Sequence, residues 1–261
     1  MKLSARVTFA RNDVRAHELT PFATGGLDGL LWVFDQDDSS MHWNTFLTTA
    51  RELGGDPKIT PTFSQVEVSA AEWCLWGAQW HHGYPQPEQT YKETTYDLPA
   101  ACPSCCSGFR QIEPYRMRTE PRWGRRSILQ MFWVYDAWFV TPDSYRSVFQ
   151  PFGIASGEVL RKSGRLLETV VQLVVDEVVP LREFRTSGEL CVTCGEFKLH
   201  ARLTDFAPPP AVMPSGPIAL SETWYGSGGL AFRETLLRHD LVAAIQNAGL
   251  RGAEFYPCRI N

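Results

Sequence analysis

The chain has 261 residues, 44% hydrophobic and 21% charged, which is globular composition with room for a sizeable core and excludes a disordered chain. Its net charge of −4 argues against non-specific binding to nucleic acid or anionic membrane surfaces. No stretch approaches the roughly 18 apolar residues of a membrane span, and Met1-Lys2-Leu3-Ser4-Ala5-Arg6 lacks the apolar run of a signal peptide, so a cytoplasmic protein is expected.

Residues 1–100 read as an N-terminal α+β region. Leu30 to Phe34 is a short apolar run, readable as a buried strand. The acidic cluster Asp35, Asp37 and Asp38 follows it. With Asp13 and Asp28 these carboxylates read as solvated loop residues, or as an acidic face for a basic partner. His42 to Leu53 is expected to be a helix stopped by Gly54-Gly55, since glycine tolerates the left-handed cap. Ser64 to Val68 alternates like a strand. Ser69 to Trp80 reads as a helix, with Trp73, Trp76 and Trp80 at helical spacing and forming a core stripe. His81 to Glu88 must be a loop, because Pro85 and Pro87 restrict themselves and their neighbours.

The rest of the chain reads as a duplication. Thr141-Pro142-Asp143 starts a helix: Thr caps, Pro fits the first turn and Asp favours the positive end of the dipole. Tyr145, Val148, Phe149 and Phe152 form its apolar stripe, and Gly153-Ile154 closes it, although Pro151 removes a donor from the last turn. Leu241, Ala244, Ile245 and Ala248 repeat the stripe, and Gly249-Leu250 repeats the closure. A glycine (Gly157, Gly252) then precedes a strand-like run, Val159-Leu160 in one copy and Ala253 to Tyr256 in the other. Each copy starts with a C-x-x-C pair, giving the order knuckle, strand, helix, strand. The second copy is longer, with its extra residues placed around Gly226-Ser227-Gly228-Gly229. The units are 101–190 and 191–261. Within the linker Arg161 to Arg185, Thr169 to Val175 is β-branched and strand-like, and Pro208-Pro209-Pro210 is an extended loop.

Seven cysteines without a signal peptide do not suit a disulfide framework, and four of them fall in Cys102-Pro103-Ser104-Cys105 and Cys191-Val192-Thr193-Cys194-Gly195. Two intervening residues let both thiolates of a tight turn face one ion, and a glycine after the second cysteine takes the positive φ of the turn. The two pairs supply four thiolates, a closed and therefore structural zinc site on Cys102, Cys105, Cys191 and Cys194. Cys106 stands where the first knuckle would carry glycine, and is either an alternative ligand or a free thiol. The rival reading of the pairs is redox chemistry. Cys74 and Cys258 read as buried thiols.

Three other segments carry weaker signals. Arg110 to Arg126 holds six Arg beside Tyr115 and Trp123, a nucleic-acid recipe or a solvated strand face with Arg116 and Arg118 outward. His81-His82 are candidate acid–base residues of a hydrolase, or plain loop residues. Tyr225-Gly226-Ser227-Gly228-Gly229 matches neither a P-loop nor a nucleophile elbow and reads as a turn.

With both knuckles placed, the chain from about residue 100 to its end resembles the bacterial double-CXXCG motif proteins of myxobacterial type. The resemblance rests on the two knuckles and on Gly249-Leu250-Arg251-Gly252-Ala253-Glu254-Phe255-Tyr256-Pro257. It implies paired cysteines as metal ligands, no catalytic residues, and, for some members, a role as immunity protein against a toxin. The expected protein is thus an α+β, zinc-stabilised binding protein with a protein partner. A nucleic-acid-binding regulator using Arg116, Arg118, Arg125 and Arg126 is the second reading, and a hydrolase using His81 and His82 the third.

Overall fold

The computed structural model of the chain describes residues 1–182, 187–201 and 203–259. It divides into two units, Met1–Glu67 with Leu203–Phe206, and Val68–Arg202 with Ala207–Asn261. Residue 100, where the sequence suggests a division, lies within the second unit.

In the first unit, alternation sets the sheet. Ala5, Val7 and Phe9 of β1 (Lys2–Ala10) are buried while Ser4, Arg6 and Thr8 are exposed. β2 (Thr24–Asp28), β3 (Leu31–Asp37) and β4 (Lys58–Thr62) complete an antiparallel sheet of order β2-β3-β1-β4. Phe46, Leu47 and Ala50 of α1 (Trp43–Glu52) join Ala5, Val7, Phe9, Leu19 and Phe34 in one core. On the open face Arg6 lies opposite Asp35 and donates to both carboxylate oxygens, at 2.7 and 2.9 Å. The expected buried strand is only partly so. Leu30 and Leu31 are exposed and Phe34 alone is buried, because the run begins in the β2–β3 turn. Of the acidic cluster read as solvated loop, Asp38 alone follows the strand; Asp35 and Asp37 lie within β3, with Asp37 exposed at its end.

Ser64 to Val68 is not a strand. α2 (Gln65–Ala70) starts there through a capping box: Glu67 N–H donates to Ser64 Oγ at 3.3 Å, and Ser64 N–H donates to the Glu67 carboxylate at 2.8 Å. The expected helix from Ser69 to Trp80 ends at Ala70. β5 (Trp73–Ala78) follows as an inner strand, with Trp73 and Trp76 buried. A strand covered on both faces needs no alternation, so its tryptophans fell at helical spacing by chance. His81 to Glu88 is the expected loop, with a cis Gln86-Pro87 bond.

The second unit continues with α3 (Tyr91–Thr95), β6 (Tyr115–Met117), β7 (Ile128–Met131) and β8 (Val134–Val140). Residues 142–152 form one helix, α4, made of an α turn (Pro142–Ser144), a π turn (Tyr145–Phe149) and a 3-10 turn (Gln150–Phe152). β9 (Ala155–Gly157), β10 (Val159–Arg161), β11 (Val171–Val174), β12 (Val178–Val179), β13 (Gly188–Leu190) and β14 (Phe197–Leu199) follow. The unit closes with β15 (Ile218–Tyr225), β16 (Phe232–Arg238), α5 (His239–Asn247) and β17 (Ala253–Pro257). The last residues of the proposed linker, 183–185, lie outside the described residues.

Two antiparallel runs organise this unit: β7-β8-β11-β9, and β15-β16-β5-β17 within a larger sheet. Their registers correspond. Val140 pairs with Ile128 and Val171, as Leu237 pairs with Ile218 and Cys74. Gln172 pairs with Phe139 and Gly157, as Leu75 pairs with Leu236 and Tyr256. β8 packs on β16: Trp138 Nε1 donates to Thr235 Oγ1 at 2.9 Å, while Trp76 stacks on Trp138 at 3.8 Å.

Each of β8 and β16 leads directly into a helix with the same ending. Gly153 (φ 74°) and Gly249 (φ 65°) take the left-handed conformation. Ile154 N–H then reaches back to Phe149 O, as Leu250 N–H does to Ile245 O. From cap to glycine α4 is one residue longer, and the π turn absorbs that residue. Pro151 is tolerated because it falls in the closing 3-10 turn. The fold is mixed α+β, mostly sheet with short helices. Among the described residues no helix is long and apolar enough to cross a membrane, a statement about helices only.

Candidate metal centre

The knuckles are turns with one hydrogen-bond skeleton. Cys106 N–H donates to Cys102 O and Gly195 N–H to Cys191 O, both at 2.9 Å. Cys102 N–H reaches Ser107 O at 2.9 Å and Cys191 N–H reaches Glu196 O at 2.8 Å. This winding aims the N–H groups of Cys105 and Ser104 at Cys102 Sγ, and those of Cys194 and Thr193 at Cys191 Sγ. These donors pull both thiols down, Cys191 to about 6. The position after the second cysteine is left-handed in both turns: Gly195 has φ 77° and Cys106 φ 61°. Cys106 keeps the glycine's conformation without the glycine.

The turns meet face to face. Cys102 Sγ lies 3.8 Å from Cys191 Sγ, and Cys105 Sγ 3.6 Å from Cys194 Sγ. Ser104 Oγ and Thr193 Oγ1 touch at 2.7 Å. The four sulfurs lie within 4.8 Å of one another. With metal–sulfur bonds of about 2.3 Å, a tetrahedron has edges of about 3.8 Å, which these separations match. A disulfide would need about 2.05 Å. Cys102, Cys105, Cys191 and Cys194 therefore lie together and could bind a metal ion. Cys106 stands outside this group, and Lys92 Nζ donates to its sulfur at 3.3 Å.

Electrostatics points the same way. Cys194 is pushed up to about 11: the Glu196 N–H lowers it, but desolvation and the thiols of Cys102, Cys105 and Cys191 outweigh that donor. Four thiolates this close repel one another, and a cation among them removes the conflict. Lys198 is fully buried, with Nζ donating to Gly228 O (2.5 Å), Leu230 O (2.9 Å) and Cys105 O (3.3 Å). These three carbonyls satisfy its hydrogens, and the bond to Cys105 O ties it to the backbone of the first knuckle. Lys92 Nζ adds a bond to Gly229 O at 3.0 Å. The turn Gly226 to Gly229 is thus an acceptor cage behind the first knuckle. The sequence gives no hint of this, since Lys198 sits in a short strand like any surface lysine.

The other expected residues are dispersed. Cys74 and Cys258 are buried thiols, Cys74 pushed up to about 12 by desolvation. His81 stacks on Phe132 at 5.3 Å and burial lowers its pKa, while His82 Nε2 lies 3.1 Å from Thr119 O. Neither histidine is hydrogen-bonded to a carboxylate among the described residues. In the Arg-rich segment Tyr115 and Met117 are buried, Arg116 is half-buried, and Arg110, Arg118, Arg122, Arg125 and Arg126 are exposed. Arg126 lies over the Trp80 ring at 5.0 Å, and Trp80 meets Trp123 edge-on at 5.4 Å. Sequence reasoning missed the tip of the β7–β8 hairpin. There Phe132 and Trp133 are exposed beside Tyr84, and Trp133 has φ 69°, a rare value for a bulky residue.

The geometry defines a mixed α+β protein with a four-cysteine cluster able to hold one metal ion. No protein-family model matches the chain, and no curated protein matches it.

Proposed function

We propose that this chain is a zinc-stabilised cytoplasmic binding protein that neutralises a toxin by direct contact. The observation that carries the reading is the closed donor set: four cysteine sulfurs at tetrahedral spacing leave no position for a substrate. Zinc suits an all-sulfur set, and it would hold the fold rather than supply chemistry. The toxin as partner comes from the resemblance to the double-CXXCG proteins. The contact face is Tyr84, Phe132 and Trp133, where aromatic anchors are exposed on a strained turn.

The same reading includes a duplication whose copies are clamped by the ion. Support comes from the matched registers, the matched helix endings and the contacts between corresponding positions. Cys102 meets Cys191, Ser104 meets Thr193, Cys105 meets Cys194, and Trp138 meets Thr235. Such pairing of like with like is what a local two-fold axis produces. Each copy completes its sheet with a strand from outside the knuckle-to-helix stretch: β11 after it in the first copy, β5 before it in the second.

Two experiments test this. Elemental mass spectrometry of protein purified without added metal should find about one zinc per chain; a folded, zinc-free protein would overturn the clamp. Co-expression with the toxin encoded by a neighbouring gene should restore growth and yield a complex. Tyr84→Ala with Trp133→Ala should abolish both while zinc is retained; no rescue and no complex with the unmodified chain would overturn the immunity reading. A nucleic-acid reading is favoured by the exposed arginines of the Arg110 to Arg126 segment alone, of which Arg126 lies over Trp80. It requires salt-dependent DNA or RNA binding that Arg118→Gln with Arg126→Gln removes.

A further inference from the structure

Away from the cysteines, the second unit carries a half-open cleft of about 590 Å³ between the segment following the first knuckle, β8, β11 and the β15–β16 pair. That volume suits a small organic ligand. Arg233 and Asp136 line it from β16 and β8. They attract each other but form no direct ion pair. The Arg233 guanidinium lies flat over Trp224, with Cζ 4.5 Å from the ring centroid. Its face is therefore used, while its edge of N–H donors is left for an acceptor. No protein acceptor reaches the buried Nε among the described residues.

Asp136 presents the opposite need. Desolvation raises its carboxyl to about 6, against the pull of the backbone N–H groups of Asp136 and Arg233 and of the Arg233 charge. It lacks a cation in contact. Trp224 and Phe109 supply apolar wall, and on the exposed rim Glu113, Glu158 and Asp176 outnumber Arg110. A simple anion would meet this acidic rim and leave Asp136 unpaired, and a simple cation would leave the terminal N–H groups of Arg233 without an acceptor. One ligand class satisfies both ends at once. We propose that the cavity binds a small zwitterion of the α-amino-acid class, with its carboxylate on Arg233, its ammonium at Asp136 and an apolar side chain against Trp224 and Phe109.

The test is isothermal titration of the full, metal-loaded chain with L-phenylalanine, L-leucine, N-acetyl-L-phenylalanine and L-phenylalaninamide. Expected is saturable binding of at least one free amino acid, and at least roughly tenfold weaker binding of the two blocked forms of phenylalanine than of phenylalanine itself. Arg233→Gln and Asp136→Asn should each remove binding while metal content and circular dichroism stay unchanged. If a variant fails to fold, the blocked ligands on the unmodified chain decide the matter alone. No heat with either free amino acid at millimolar concentration overturns the proposal. So does equal binding of a blocked form, which would make the cavity a plain anion or cation site.

Discussion

The two knuckles have one backbone and two environments. Both wind through the same pair of hydrogen bonds, and both place their fourth following position in the left-handed region. The first lies against the interior: Cys105 is buried, and Lys198 and Lys92 brace it against the Gly226–Gly229 turn. The second faces water, with Val192 98% exposed and Cys194 exposed. The difference extends to the strands behind them. Ala137 of β8 is small and buried where β16 carries Glu234, whose carboxyl desolvation raises to about 7. At this position one half supplies packing and the other holds a carboxyl out of water. Fold can be kept by repeated backbone geometry while side chains diverge around it.

The largest effect should come from breaking the meeting point itself. Cys102→Ser with Cys105→Ser, or Cys191→Ser with Cys194→Ser, should each abolish all zinc, because one ion needs both turns. Structural zinc contributes on the order of 10 kcal/mol of apparent binding free energy, so either double variant should lose cooperative unfolding. Elemental analysis and urea unfolding read this. Half the zinc remaining in each variant would show separate sites and end the clamp.

Next comes the brace. Lys198→Met leaves three carbonyls without a donor and removes the cation behind the cluster. A loss of about 3 kcal/mol is expected in urea unfolding of the zinc-loaded protein, against about 1 kcal/mol for the half-buried Lys92→Met. Equal losses would mean that burial does not separate the two lysines. Glu234→Gln should act through pH. The folded pKa near 7 lies above the unfolded value near 4.5, so the native state holds a proton that the unfolded chain releases. Stability from this group is full below about pH 4.5 and is lost as pH rises through 7. The variant should therefore lose that slope and gain about 2 kcal/mol at pH 8, with little change at pH 4. A parallel pH profile for both proteins would show that Glu234 is well hydrated.

The cysteine cluster was legible because ligand spacing is local: C-x-x-C fixes a turn wherever it occurs. Helix endings were legible for the same reason, since Gly153 and Gly249 encode a backbone conformation. β5 was not. Its tryptophans lie on both covered faces of an inner strand, and burial on both sides erases the period that separates strand from helix. The capping box Ser64-Gln65-Val66-Glu67 was present in the sequence, and the apparent alternation of Ser64 to Val68 masked it. Lys198, Asp136 and Arg233 could not be found from sequence, because their neighbours come from distant segments. Their roles exist only once strands far apart in the chain are brought together.

The smallest effect separates the turns by one side chain. Cys106 at φ 61° carries a Cβ where the other knuckle has Gly195 at φ 77°. An L-residue held left-handed costs roughly 1–2 kcal/mol. Cys106→Gly relieves that strain but gives up the Lys92 contact to its sulfur and adds freedom to the unfolded chain. A net gain of about 0.5 kcal/mol is expected, with zinc unchanged. Gly195→Ala imposes the strain without any compensating contact, since nothing lies near the added Cβ, and should cost about 1 kcal/mol. Opposite signs in matched urea titrations would show that the turns differ in side chain and not in backbone. A loss of zinc in Cys106→Gly would instead place that sulfur among the ligands and redraw the site.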